Sequence, residues 1–206
     1  WIATTNNGLF EYHFDSDSLI NHLNNIDNIH SISGNLVRAI FEDHKKRLWI
    51  GTKSTGLNLY DRKTKSFRQI KDARELASAT IYNILEDHKG NLWMGTHNGI
   101  LEYNPDNGDF NHYTTTHGLQ SLIFEINAAT QTADGYFLMG GNHGVNMFKP
   151  ENIVYKPVKA PLILSEIRDL NQTLARDIST SESIVIKKNS NYLSFEFALL
   201  DYTKPD

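Results

Sequence analysis

Two copies of one tripeptide, Glu42-Asp43-His44 and Glu86-Asp87-His88, set carboxylates beside an imidazole. Those are the residue types of general acid–base chemistry. Catalysis, however, needs one convergent constellation. These copies occupy matching places in a repeated sequence, so each is expected to serve its own repeat and to lie many ångströms from the other. Asp43 and Asp87 should accept backbone N–H bonds in turns. The nine histidines contain no His-x-x-x-His or His-Glu-x-x-His zinc spacing. His112 and His117 lack a third ligand and read as solvated loop residues. No serine stands in Gly-x-Ser-x-Gly, no phosphate loop is present, and there is no Cys to act as nucleophile or thiolate ligand. The chain therefore nominates no catalytic residue, no metal site and no cofactor.

The elements that must position these residues repeat. Trp1-Ile2-Ala3-Thr4, Trp49-Ile50-Gly51-Thr52, Trp93-Met94-Gly95-Thr96 and Leu138-Met139-Gly140-Gly141 start at positions 1, 49, 93 and 138. A glycine turn follows each, at Gly8, Gly56, Gly99 and Gly144, and then an alternating strand such as Ile100-Leu101-Glu102-Tyr103. In the third repeat the pattern predicts strand a over Ile81–Glu86, a turn containing Gly90, strand b over Leu92–Thr96, strand c over Ile100–Asn104 and strand d over Asp109–Tyr113. Asn7-Gly8 and Asn98-Gly99 suit tight hairpin turns. Four short strands in about 45 residues is the size of a β-propeller blade. Trp1, Trp49 and Trp93 are expected to wedge between neighbouring sheets, where their apolar area counts most.

The predicted fold is all-β. A partial propeller of about three and a half blades covers 1–150, with blades at 1–24, 37–70, 81–113 and 124–149. Linkers at 25–36, 71–80 and 114–123 join strand d of one blade to strand a of the next, with a helical turn at Ala73–Ala77. A connector follows at 151–161. A second module at 162–206 shows strand-like runs at Leu162–Ile167, Ser183–Lys187 and Leu193–Ala198; Leu193, Phe195 and Phe197 alternate there as in a half-buried sandwich strand. Three positions depart from the repeat. Lys46 stands where Gly90 would, Thr132 where Asp87 would, and Leu138 replaces the tryptophan.

Composition bounds the function. The 206 residues carry a formal net charge of −4, a pI near 6.1 and 39% hydrophobic residues. That balance argues for a packed core and against a general binder of nucleic acid or anionic membrane. No apolar run approaches the roughly 18–20 residues that cross a bilayer. The absence of Cys leaves the compartment open. The run from Trp1 shows no initiator Met and no signal-peptide pattern, and the sequence stops directly after a strand-like run. Those ends, and the roughly 270–315 residues of a closed six- or seven-bladed ring, predict a piece of a longer protein.

The unit from Glu86 to Ile100, with Trp49-Ile50-Gly51-Thr52 and Gly56-Leu57, resembles the two-component regulator propeller repeat. The segment from Pro161 to Pro205, with Asn191-Tyr192-Leu193-Ser194-Phe195-Glu196-Phe197-Ala198 and Asp201-Tyr202, looks like the opening of the Y_Y_Y domain that follows such propellers. The resemblance implies an immunoglobulin-like sandwich after the propeller. It also implies an extracytoplasmic, periplasmic sensor region of an inner-membrane hybrid two-component receptor. The output would be a histidine kinase or a diguanylate cyclase, the receptor a homodimer, and membrane attachment would come only through flanking segments.

A ligand would meet the b–c turns and d–a linkers, which a propeller presents on one face. There the residue after strand b varies between repeats: Thr5, Lys53, His97, Asn142. With His143 and the linker residues His30, Arg38, His117 and Gln120, these form the candidate binding set, because varied polar side chains on a rigid frame are what recognition needs. The expected partner is a small extracellular ligand, such as an oligosaccharide with Tyr82 and Phe124 as aromatic platforms; no nucleic-acid partner is expected. Two other readings compete with the sensor: a carbohydrate-active propeller enzyme or lyase, and a protein-interaction scaffold.

Overall fold

A computed structural model describes residues 1–71, 73–154, 162–169, 172–176 and 192–199. The run Ser183–Lys187, the connector from residue 155 on, Asn191 and Asp201-Tyr202 lie outside the described residues. The chain divides into two units, Trp1–Val154 and Tyr155–Asp206.

The first unit is four antiparallel sheets. Blade 1 has β1 (Ile2–Ala3), β2 (Leu9–His13) and β3 (Ser18–His22); blade 2 has β4 (Val37–Glu42), β5 (Leu48–Thr52), β6 (Leu57–Asp61) and β7 (Ser66–Gln69). A short helix α1 (Arg74–Ser78) occupies the linker, over the predicted helical turn. Blade 3 has β8 (Ile81–Glu86), β9 (Leu92–Thr96), β10 (Gly99–Tyr103) and β11 (Phe110–Tyr113), while blade 4 has β12 (Phe124–Gln131), β13 (Phe137–Gly141) and β14 (Gly144–Phe148). The blade 3 strands a and b fall where the pattern predicts. Strand c begins one residue early because Gly99 pairs with Thr96 across the turn.

Strands β5 and β9 are buried along their whole length, because a blade has neighbours on both faces. Successive side chains alternate between those faces. Leu48 and Ile50 join a core with Leu9, Val37, Tyr60 and Phe67, whereas Trp49 joins a second core with Ile81, Ile84, Leu92, Met94 and Leu101. One blade on, Leu92 and Met94 face back into that second core. Trp93 faces forward onto Tyr113, Phe124, Phe137 and Met139. Each tryptophan is thus the wedge expected of it, and Trp1 packs edge-on against Tyr60 of the next blade with ring centroids 4.8 Å apart.

The repeat aspartate holds the wedge. Asp43 Oδ1 accepts the backbone N–H groups of Lys45 and Arg47 at 2.9 and 2.8 Å, and its Oδ2 accepts the Trp49 indole N–H at 2.9 Å. Asp87 repeats this with Lys89 and Asn91 N–H, both at 2.9 Å, and Trp93 Nε1 at 3.0 Å. Both carboxylates are buried, at 2% and 7% exposure, which is tolerable only because every lone pair direction is served. In blade 4 Thr132 Oγ1 accepts the Tyr136 N–H at 2.9 Å, and Leu138 offers no indole to hold. Lys46 keeps the left-handed turn conformation of Gly90, with φ of 65° against 83°, at a cost of about 1 kcal/mol for a residue with a Cβ.

The two Glu-Asp-His copies are not dispersed as the repeat symmetry led us to expect. Adjacent a–b turns lie side by side, so His44 Nδ1 meets Glu86 Oε1 at 2.6 Å, and the Glu86 carboxylate also accepts the His44 N–H. Lys45 and Arg47 reach Asp106 at 2.6 and 3.0 Å. The pair belongs to a polar clamp joining blades 2 and 3.

Gly51 and Gly95 let blades close up. A Cβ on Gly51 would lie 2.7 Å from Ile81 Cγ2 of blade 3, and one on Gly95 would lie 3.1 Å from Phe124 Cβ of blade 4.

The second unit is a three-stranded antiparallel sheet in the order β16-β15-β17, from β15 (Leu162–Asp169), β16 (Gln172–Arg176) and β17 (Leu193–Leu199). β16 has no signal in the alternation pattern. Phe195 and Phe197 are 50% and 58% exposed, so the described residues do not cover the face that alternation predicts to be buried.

Three outcomes follow from the clasp and the wedge. Trp49→Ala should lower unfolding free energy by about 3–5 kcal/mol through cavity formation, read by urea denaturation. Gly51→Ala should cost about 1–3 kcal/mol by overpacking against Ile81, in the same assay. Burial pushes the Asp43 carboxyl up, but hydrogen bonds from the Trp49 indole and from Arg47, with the Arg47 charge, outweigh it and hold the group below its ordinary value. A lowered folded pKa stabilises above the unfolded value of about 3.9 and is lost as pH falls through the folded value. The stability gap between the parent and Asp43→Asn should therefore narrow progressively below pH about 4.

Candidate functional site

The b–c turns and d–a linkers form one stitched row. The linker residue two before each inner strand accepts the glycine N–H of the preceding blade's turn. Gly8 donates to Asn35 O at 2.9 Å, Gly56 to Ala79 O at 3.0 Å and Gly99 to Leu122 O at 2.6 Å. The next linker residue contacts its own blade's turn. Lys53 N–H donates to Leu36 O at 2.8 Å, Thr80 N–H to His97 Nδ1 at 3.2 Å, and Asn142 N–H to Ile123 O at 3.2 Å. Glycine is required where φ is positive and backbone closes in: a Cβ on Gly56 would lie 2.1 Å from Leu76 O.

Lys53, His97 and Asn142, exposed at equivalent positions of consecutive blades, are brought onto this row. Thr80 links two of the turns, since its Oγ1 accepts the Ser54 N–H at 3.1 Å while its own N–H reaches His97. The sequence reading missed Thr80; its place immediately before strand a, matching Leu36 and Ile123, is the signal that could have found it. His143 and Gln120 also come together, with the His143 N–H donating to Gln120 Oε1 at 3.0 Å. Gln120 Nε2 is buried without a partner among the described residues.

The other candidates stand elsewhere. Arg38 lies half-buried at a bulge of β4, between Val37 and Ala39, where the register shifts. Such bulges re-aim side chains. His30 runs beside the outer strand β7, its carbonyl accepting the Phe67 N–H at 2.8 Å. His117 caps a single 3-10 turn, Thr115–His117, with Nδ1 accepting the Thr114 N–H at 3.1 Å. Phe124 cannot be an aromatic platform, because it is 1% exposed in the core between blades 3 and 4. Tyr82 is half-buried against the same core. Among the described residues no group of three His, Asp or Glu could hold a metal ion. No helix among them is long and apolar enough to cross a membrane.

A family model described as two component regulator propeller matches residues 31–54 and 75–98. Both matches run from the linker through the inner strand and the aspartate clasp to the b–c turn. A curated relative, histidine kinase P4 of Formosa agariphila, is 27% identical over 260 aligned positions, covering 98% of this chain and 19% of the relative. The chain thus spans about a fifth of that relative's length. The extracellular domain of BT4673 from B. thetaiotaomicron has been described both as a hybrid two component system and as a one component system. Two structures of it align with TM-scores of 0.56 and 0.55 and identities of 22% and 20%, covering 70% and 79% of this chain and 19% and 20% of those chains. PorZ, a surface component of the type-IX secretion system of Porphyromonas gingivalis, aligns at TM-score 0.50 and 12% identity over 91% of this chain and 33% of its own. These likenesses establish the fold: all-β, built of propeller blades.

The stitching has a direct readout. In hydrogen exchange the amides of Gly8, Gly56 and Gly99 should be protected as strongly as neighbouring strand amides, although all three sit at turns.

Proposed function

We propose that this chain is a ligand-sensing, non-catalytic part of the extracytoplasmic region of a transmembrane hybrid two-component receptor. It would stand on the periplasmic side of the inner membrane. The observation that carries this reading is the stitched row. The blade 2 turn is fixed to two linkers by main-chain bonds, and the turns of blades 3 and 4 to one linker each, with the Thr80 N–H also held by the His97 ring. The side chain presented nonetheless differs from blade to blade: Lys53, His97, Asn142. A rigid frame with varied polar groups can recognise a hydroxyl-rich ligand without paying to order its own loops. Gln120 and His143 extend the row, while Arg38, His30 and His117 complete the candidate set. The match of the two-component regulator propeller model to both stitched units, and the histidine kinase relative, support the sensory setting.

In this reading residues 1–150 are part of a propeller and 162–206 the beginning of an immunoglobulin-like Y_Y_Y domain. An oligosaccharide bound at the row would alter how two receptors pair, and the output would be a kinase or a cyclase domain.

Thermal-shift screening of the receptor ectodomain against oligosaccharides tests this. A true ligand at a hundredfold excess over its Kd should stabilise the fold by about 2.7 kcal/mol, and His97→Ala with Lys53→Ala should abolish the shift. Turnover of a glycan would sink the non-catalytic reading in favour of an enzyme. Silence across broad panels would favour a protein-interaction scaffold.

A further inference from the structure

The net charge of −4 hides a segregation by blade. Ten of the chain's twenty Lys and Arg lie between residues 37 and 71, against three acidic residues there, while residues 1–37 contain no cation. Blade 3 reverses the balance, with Lys89 against five acidic residues. Apart from Arg38 and Lys53, which lie off the groove at β7, these cations fall into two groups. Lys45, Lys46, Arg47 and Arg62 are ion-paired with Glu42, Asp43 or Asp106. Lys63, Lys65, Arg68 and Lys71 have no ion pair among the described residues. All four line one open groove of about 1530 Å³ that runs from the c–d turn past β7 to the linker at Asn24–Ser33. Among the described residues the one acid lining it, Asp61, accepts the Lys63 and Thr64 N–H groups.

Two of the groove's lysines stand at turn positions with positive φ, as Asp17 at 48° does in the c–d turn of blade 1. Lys65 sits at φ 52°, where the corresponding c–d turn of blade 3 uses Gly108 at 81°; Lys46, on the same groove, likewise stands where blade 3 has Gly90. In both places a lysine holds a conformation that glycine adopts without strain.

We infer that this groove binds a polyanionic polysaccharide, carrying sulfate or uronate groups, along the outer edge of blade 2. The inference goes beyond the sensor reading, because of its candidate residues only His30 lines the groove. Asn24, Asn28, Ser31 and Ser66 interleave hydroxyl-binding groups with the charges. Single-stranded nucleic acid needs exposed rings for stacking, and the groove's Tyr60 and Phe67 are 4% and 3% exposed. An acidic peptide adding a strand to β7 would need the Phe67 N–H, which His30 O already takes. A bilayer meets flat or convex surfaces, whereas these cations line a concavity.

The test is isothermal titration of the intact ectodomain with dextran sulfate, polygalacturonate and neutral dextran. Binding of either polyanion, weakened by salt and absent for dextran, is expected; which of the two binds separates sulfate from uronate recognition. Lys65→Gly should keep or raise Tm while weakening binding about two- to fivefold. Lys63→Gln, Lys65→Gly, Arg68→Gln and Lys71→Gln combined should weaken it more than about tenfold, and Lys89→Gln should leave it unchanged. The inference is overturned if neither polyanion binds, if dextran binds equally, or if the combined variant binds like the parent. It is also overturned if phosphatidylglycerol vesicles bind and lose that binding on Ile26→Ser with Ile29→Ser, which would make the exposed linker isoleucines a membrane contact. None of these outcomes depends on whether neutral oligosaccharides bind the stitched row.

Discussion

A buried carboxylate holding an indole is the contact on which the propeller unit depends. Asp43 and Asp87 each organise an a–b turn through two backbone N–H groups and, with the second oxygen, fix the tryptophan six residues on. The carboxylate is affordable in the interior because its acceptors are filled, and the indole N–H is affordable because the carboxylate fills it. Each half solves the other's desolvation problem. Once the ring is fixed, it projects from the forward face of strand b into the next blade, and blade-to-blade packing follows. Blade 4 marks the limit of the device, since Thr132 still organises its turn but Leu138 has nothing to be held by.

The clasp also bears on the acid–base tripeptides. Their aspartates are consumed by turn and wedge. Glu42 is paired with Lys46 and Arg62, and Glu86 with His44 of the neighbouring blade. The proposed binding surfaces lie at the other end of the strands, where the linkers are stitched to the b–c turns, and at the outer edge of blade 2, where four groove cations have no ion pair among the described residues. Interior contacts repeat because each blade must pack in the same way. The turn side chains can differ because most of the bonds that hold the turns are main-chain bonds, the Thr80–His97 contact being one that uses a turn side chain.

Much of this was legible from residue order. The period of the Trp-x-Gly-Thr units, the glycine turns and the period-2 alternation place the blade 3 strands to within a residue, and the aspartate role follows from its place before a turn. The misses share one cause. Phe124 looked like an accessible platform because it adjoins a linker, but its neighbours across the blade interface bury it. The Glu86–His44 contact links residues 42 positions apart that approach only when two a–b turns lie side by side. Thr80 carries no motif and gains its role from the two turns it touches. The cationic groove was masked by a net charge that averages blade 2 with its acidic neighbours.

Sequence alone therefore determined the all-β class, the blade length, the wedge tryptophans and the residues that vary at the turns, because periodicity and turn chemistry are local properties of a chain. Tertiary structure decided which of those residues meet. It put Lys53, His97 and Asn142 on one stitched row, set His30 and His117 apart from it, and gathered Lys63, Lys65, Arg68 and Lys71, which have no ion pair among the described residues, along one groove. Those outcomes depend on which strand edges and turns come to lie together, and residue order does not encode that separately from the fold.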